Sequence, residues 1–250
     1  MVPRHPAQAL AELAQALQSA HETEPTADAV IDRALELVHD ADWVSLTVRR
    51  RGSYVTLAST APEAQLADEL QYALGEGPCV DASHAAEWYR SGSVALDARW
   101  PRWGPRAAEL GIRSLLSVQL STEDRAIGAI NIYSRRDGGF ADRDEVDFAV
   151  LYGAHAAIAL TSAREITGLR SALQTRHAIG VAQGMLMERY GLDLDTSFDL
   201  LRRYSSQLNV KLVDVATDIV TSGKLPRVEE EDLPADATNG SSVAVREHEE

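Results

Sequence analysis

One cysteine, Cys79, stands in a chain of 250 residues. A lone thiol closes no intramolecular disulfide and builds no thiolate metal cluster. It leaves open a redox sensor, a covalent chromophore anchor or a catalytic thiol, beside the plain role of a small buried hydrophobe. The seven histidines, at positions 5, 21, 39, 84, 155, 177 and 248, show no metal-ligand spacing and no HExxH pattern. No metal and no other cofactor is therefore expected. His155 lies between alanines and reads as a satisfied interior residue. His177 sits on a helix where a sensor kinase would carry its phosphoacceptor, but no Pro follows it and no nucleotide-binding domain lies downstream. Gly75 and Gly77 lack the Lys-Ser/Thr of a phosphate loop, and Pro78 removes a donor. No paired catalytic groups are present, and the chain reads as a non-enzyme.

A second group of residues points to binding. Gly180 and Gly184 stand four apart, on one helix face, inside a run that otherwise favours helix (Ala182, Gln183, Met185, Leu186, Met187). Each glycine weakens a helix by roughly 0.8–1.0 kcal/mol relative to Ala. They serve either close helix packing or a bare backbone patch that something outside the bundle approaches. Around them Arg176, Gln183, Arg189, Arg202, Arg203, Ser206, Asn209 and Lys211 offer donors suited to phosphates and base edges. Each alone also reads as a solvated surface residue, and Asn209, between two helices, as a cap. Further upstream, Trp88, Tyr89, Trp100 and Trp103, with Cys79 and Tyr133, either line a ligand cavity or form core and lid.

The elements that position these residues follow from periodicity. Leu10, Leu13 and Leu17 suggest a first helix over Ala7 to Ser19. After Pro25, apolar residues recur from Ala27 to Val38 at a period near 3.6, an amphipathic helix. Val44, Leu46 and Val48 then alternate with polar residues, and Arg51-Gly52-Ser53 turns the chain into a second strand, Tyr54 to Ser59. Ala61 to Leu74 returns to helix and stops at Gly75, followed by a turn-rich loop, Gly75 to Cys79. A strand is expected around Val94 to Asp97, a short helix over Trp103 to Leu110, and a second hairpin from Ser114–Leu120 to Ala126–Ser134. Asp142 with Glu145 forms an acidic capping-box pattern opening a helix that nothing stops before Gly191. Within it Ile158, Ser162, Ile166, Leu169, Leu173 and Arg176 follow a short heptad-like seam, which favours self-association. Helices flanking antiparallel hairpins make an α+β sensor-type domain.

Formal net charge is −14, which opposes indiscriminate nucleic-acid binding. Much of the acid lies after Pro226, in a tail too poor in large apolar residues to offset ordering entropy, read as disordered. No secretory signal opens the chain. The uncharged stretch Phe148 to Ala163 spans about 24 Å as a helix, short of a ~30 Å hydrocarbon core. A cytoplasmic protein without a membrane span is the expectation.

Arg176, Ile179, Ala182, Gly184, Met185-Leu186-Met187, Phe198, Leu201-Arg202, Ser205, Asn209, Leu212, Val215 and Ala216 together resemble an ANTAR domain. That is the small three-helix RNA-binding module of bacterial antitermination regulators. Gln183 stands where many members have Lys. The Gly75-Glu76-Gly77-Pro78-Cys79 loop, Gly128-Ala129-Ile130-Asn131 and Phe140-Ala141-Asp142-Arg143-Asp144 resemble a GAF domain, the PAS-like ligand-sensing fold. The expected division is an N-terminal helix over 1–24, a GAF-like sensor over 25–160, a linker coiled coil and ANTAR-like module over 161–222, and an acidic tail over 223–250. The resemblance implies a homodimeric, signal-gated antiterminator that binds structured RNA with two hairpin loops. The unidentified signal would be a small molecule or a protein. The rival is a GAF ligand-binding regulator whose helical tail only dimerises or binds a protein partner.

Overall fold

The computed structural model describes residues 23–50, 52–82, 88–122 and 125–226. The helix expected over Ala7 to Ser19 and the acidic tail beyond Pro226 lie outside them. The chain divides into two compact units, Met1–Gly168 and Leu169–Glu250.

In the first unit, the apolar period after Pro25 produces α1, Thr23–Leu37. The expected hairpin is β1, Trp43–Arg50, paired antiparallel with β2, Ser53–Ser59, across a turn where Gly52 takes φ +88°. A proline in its first turn opens α2, Pro62–Leu74, and Gly75 closes it in the left-handed conformation. The turn-rich loop is shorter than its composition suggests, because Pro78 starts a helix, α3, Pro78–Ala82. A proline has no N–H to leave unpaired there. The strand expected around Val94 is instead a 3₁₀ turn, Val94–Leu96, and the strand, β3, is Trp88–Ser91. A short apolar run fits either state by pattern, and here the Val94 N–H bonds to the Arg113 carbonyl outside any ladder. Then come α4, Trp103–Glu109, β4, Ser114–Thr122, and β5, Arg125–Ser134.

The sheet runs β2-β1-β5-β4-β3, every neighbour antiparallel. Period-two alternation gives it two different faces. Val44, Leu46, Val48, Leu116, Val118, Leu120, Ile130 and Ile132 form the apolar face. They bury against α1 and the first turns of α5, Arg143–Tyr190, through Val30, Ala34, Tyr152, Ala156 and Leu160. Full burial of each large aliphatic side chain contributes about 1.5–3 kcal/mol. The register sets Trp43 beside Tyr133, Ser45 beside Asn131 and Thr47 beside Ala129. On the far side of β5, Leu115 stands beside Tyr133 and Ser117 beside Asn131. That second, more polar face lies under α2, α3 and α4.

α5 starts as the sequence indicates, with Asp142 Oδ1 accepting the Asp144 N–H at 3.0 Å. The reciprocal half of the capping box is not made. Glu145 Oε1 instead accepts the Asp40 N–H at 3.0 Å, tying the helix start to the chain after α1. By length and composition α5 could cross a membrane, but half of its apolar window is buried inside the protein.

The second unit comprises the remainder of α5, which ends at Tyr190 before Gly191 at φ +64°, with α6, Leu194–Leu208, and α7, Leu212–Ser222. Asp193 caps α6 by accepting the Thr196 N–H at 2.7 Å, and Asn209 closes it at φ +50°. Its core is small: Ala182, Leu186, Leu201, Val215, Ala216 and Ile219.

Candidate sensor site and candidate nucleic-acid interface

On the polar face of the sheet the central residue is one that motif reading passed over. Asp68 lies on the inner side of α2 with Ala64, Ala67 and Gln71, and all four are buried. Its Oδ1 accepts the Tyr133 hydroxyl at 2.6 Å and the Asn131 amide at 3.0 Å. Its Oδ2 accepts Thr56 at 3.0 Å and Thr47 at 3.3 Å. The Tyr72 hydroxyl joins both threonines, at 2.6 and 2.8 Å. The network continues sideways, since Gln71 Nε2 donates to the Tyr133 oxygen at 3.2 Å and Gln71 Oε1 accepts the Cys79 N–H at 2.8 Å. Asp68, Gln71, Tyr72 and Cys79 thus belong to one hydrogen-bonded unit. A Cβ on Gly77 would strike the Gln71 side chain, which explains a glycine there.

Burial without a counter-charge pushes the Asp68 carboxyl up to about 6, against the pull of its hydroxyl and amide donors. Burial, then the neighbouring Asp68 charge, pushes the Cys79 thiol up to about 12. A thiol so disfavoured as thiolate is a poor nucleophile. Burial first, and Asp68 second, likewise raise the Tyr72 and Tyr133 hydroxyls.

The aromatic set expected around a cavity divides between the faces. Trp100, Trp103 and Tyr133 are fully buried together in the core under α2 and α4, with Tyr89 half-buried against them. Both indoles are satisfied: Trp100 Nε1 donates to Asp81 at 2.7 Å and Trp103 Nε1 to the Ala67 carbonyl at 2.9 Å. Glu76 accepts the Arg102 and Trp103 N–H groups at 2.7 and 2.8 Å, fixing the start of α4. Cys79 sits in a small adjoining cluster with Ala82 and Ala129. Trp88 packs against the opposite, apolar layer. Among the described residues no group of His, Cys, Asp and Glu is placed to hold a metal ion.

In the second unit Gly180 and Gly184 are exposed, and a Cβ on either would meet nothing within 4 Å. Contrast Gly153 on the same helix, where a Cβ would lie 2.7 Å from the Val118 side chain. Packing within the chain therefore accounts for Gly153 but not for the other pair. Steps of four, three, four and four place Leu169, Leu173, Arg176, Gly180 and Gly184 on one helix face. That face lies opposite Ala182 and Leu186, which fill the core. Both leucines are 66% exposed.

The nine residues with donors or bare backbone fall into separate places. Arg202, Ser206 and Asn209 share one face of α6, all exposed, with exposed Arg203 on its flank. Arg202 pairs with Asp199 at 3.1 Å in the open, a contact of little energetic weight. Gln183 ties α5 to the start of α6 by donating to the Leu194 carbonyl at 3.1 Å. Arg189 bonds to the Gly223 carbonyl at the end of α7 and lies 5.9 Å from the Tyr190 ring. The Asn209 backbone closes α6, its N–H reaching the Ser205 and Ser206 carbonyls. Lys211, at the N-cap of α7, makes no side-chain cap. A cleft of about 130 Å³ beside Arg189 is lined by Met185, Tyr190, Ile219, Lys224 and Leu225.

Comparison with known proteins agrees with both units. The GAF domain family matches residues 20–161 and the ANTAR domain family residues 167–220. No curated protein matches the chain at a significant level. Among solved structures, the GAF domain of a phosphoenolpyruvate-protein phosphotransferase from Coxiella burnetii is 20% identical, with TM-score 0.53. The match covers 66% of this chain and 97% of that one. Free methionine-R-sulfoxide reductase from Neisseria meningitidis is 15% identical, with TM-score 0.51, over 66% of this chain and 95% of that one. A bacteriophytochrome from R. palustris is 10% identical, with TM-score 0.58, over 80% and 47%. At these identities the likeness is one of fold. The chain belongs to the GAF domain family and carries an ANTAR domain after its GAF domain.

Proposed function

We propose that the chain is a cytoplasmic, non-catalytic, signal-responsive RNA-binding regulator of transcription, an antiterminator. As a homodimer it binds leader RNA through two hairpin loops, with the GAF unit gating that binding. The observation carrying this reading is the exposed Gly180/Gly184 pair. Two helix-weakening residues are kept where the chain's own packing asks for neither. A bare helix backbone allows an unpaired base to come close, and Arg176, Arg202, Arg203 and Lys211 supply charge for phosphates. Two modules in a dimer raise avidity by linking two weak contacts.

A second reading has its own support. Leu169 and Leu173 continue onto the glycine face, so a second copy of this helix would cover leucines and glycines together. The C-terminal module would then serve dimerisation alone. Titrating the protein with an RNA carrying two hairpin loops, with each loop alone and with a scrambled RNA at physiological salt separates the two. Antitermination requires preference for the two-loop RNA. Equal binding of all four RNAs, or of none, favours the dimeriser.

A further inference from the structure

Asp68 is a buried carboxylate that no described residue meets with an ion pair, and its surroundings are arranged unevenly. Oδ1 faces donors whose direction is fixed. The Tyr133 oxygen already receives Gln71 Nε2, and Gln71 Oε1 is committed to the Cys79 N–H, so the Tyr133 hydrogen points at Asp68. The Asn131 amide nitrogen faces the same oxygen, its own oxygen receiving Ser117 at 2.7 Å. Oδ2 faces the Thr47 and Thr56 hydroxyls, which are joined through Tyr72, and the Ser45 hydroxyl also bonds to the carboxylate; these hydroxyls are free to turn round.

We propose that Asp68 is the proton-binding site of the sensor unit, taking up one proton on Oδ2 and thereby tightening α2 on β1 and β2. The inference rests on the sensor reading above and names what that unit responds to. On protonation the new O–H donates to Thr56 Oγ1, Thr56 donates to the Tyr72 oxygen, and Tyr72 donates to Thr47. Oδ1 keeps both of its donors. Thr47 keeps its bond to Oδ2, so the ring of Oδ2, Thr56, Tyr72 and Thr47 stays closed with some of its donors reversed, and uptake removes a buried unbalanced charge. A proton needs no room in a layer filled by Trp100, Trp103 and Tyr133.

The groups facing Asp68 from each packed element are Ser45 and Thr47 on β1, Thr56 on β2, Gln71 and Tyr72 on α2, Cys79 on α3, and Asn131 and Tyr133 on β5. None is charged near neutrality: burial pushes the thiol up to about 12 and raises both tyrosines. The sign follows from the raised carboxyl. Between its ordinary value of 3.8 and about 6 the folded unit holds a proton that the unfolded chain has released. Stability of the unit therefore falls as pH rises through that window.

The test uses the full chain labelled with ¹³C at aspartate carboxyl carbons, the Asp68 signal being assigned with Asp68→Asn or, should that fold poorly, Asp68→Glu. The expected titration midpoint is near 6. Asp68→Asn mimics the protonated state, its amide donating to the threonines. Its sensor unit should gain stability on the wild type as pH rises from about 4 to about 7, by up to about a hundredfold in unfolding constant, read from thermal melts. The wild type's affinity for two-loop RNA should shift across the same range and the variant's should not. A midpoint at or below about 4, or a melting difference that does not depend on pH, overturns the proposal. A titrating Asp68 beside a flat RNA affinity overturns its role as signal. Absence of RNA binding at every pH defeats the RNA reading instead, while the titration and melting difference still decide the proton site.

Discussion

Three exposed arginines do different work in the C-terminal unit. The Arg189 guanidinium holds the Gly223 carbonyl that ends α7, while Arg203 has no such anchor and Arg202 only an exposed carboxylate. Replacing Arg202 and Arg203 with Ala should leave the fold intact, weaken RNA binding and flatten its salt dependence. For single-stranded RNA, each phosphate left without its arginine reduces the log–log slope by about 0.7. Arg189→Ala should instead lower the melting temperature of the unit, because a helix terminus is deprived of its partner. Filter binding at several salt concentrations and thermal melts separate these roles, and the reverse pattern would exchange them. From the sequence these three arginines are equivalent donors, because what distinguishes them is a carbonyl 34 residues away. Asp68 was legible in principle. It sits at a core position of α2, four residues after Ala64 and three before Gln71, and a carboxylate there signals a partner network. Its partners come from β1, β2 and β5, which no local pattern links.

At the scale of elements, periodicity carried most of the fold. Alternation fixed both hairpins, and Gly75 and Gly191 ended their helices where the sequence led one to expect, each in the left-handed conformation. Failures came where pattern is short: Val94–Leu96 has three residues, too few to distinguish strand from 3₁₀ turn, and α3 only five. The glycines of α5 show the same limit. Gly153, Gly180 and Gly184 look alike in sequence, yet one abuts Val118 and two abut nothing. The leucines beside them give the element-level prediction. We place Leu169 and Leu173 on a seam between two copies, and a Leu169→Asp, Leu173→Asp double variant should sediment as a monomer. Both are largely exposed in the single chain, so the unit itself should stay folded. Burying each at an interface is worth about 1.5–3 kcal/mol. An unchanged dimer would move the interface elsewhere.

Across the whole molecule charge is the governing quantity. With a net −14, the chain repels RNA at long range, so the proposed RNA binding has to come from a local, well-shaped contact. Residues after Arg227 hold much of that acid, and their removal should leave the melting temperature nearly unchanged while slightly tightening binding to unrelated RNA at low salt. A marked loss of stability on truncation would mean that the tail docks on the folded units.

Whether the glycine face of α5 meets RNA is decided by the affinity of Gly184→Leu for a two-loop RNA, measured beside the wild type at one physiological salt concentration. Leucine improves helix propensity by up to about 1 kcal/mol and has open space around it in the chain alone, so the variant should be at least as stable. This more stable protein should bind the two-loop RNA more weakly, because the added side chain stands where a base comes to the backbone. Unchanged dimerisation alongside weakened binding would place the glycine face on RNA. Wild-type affinity in the variant, with scrambled RNA bound equally well, would contradict it.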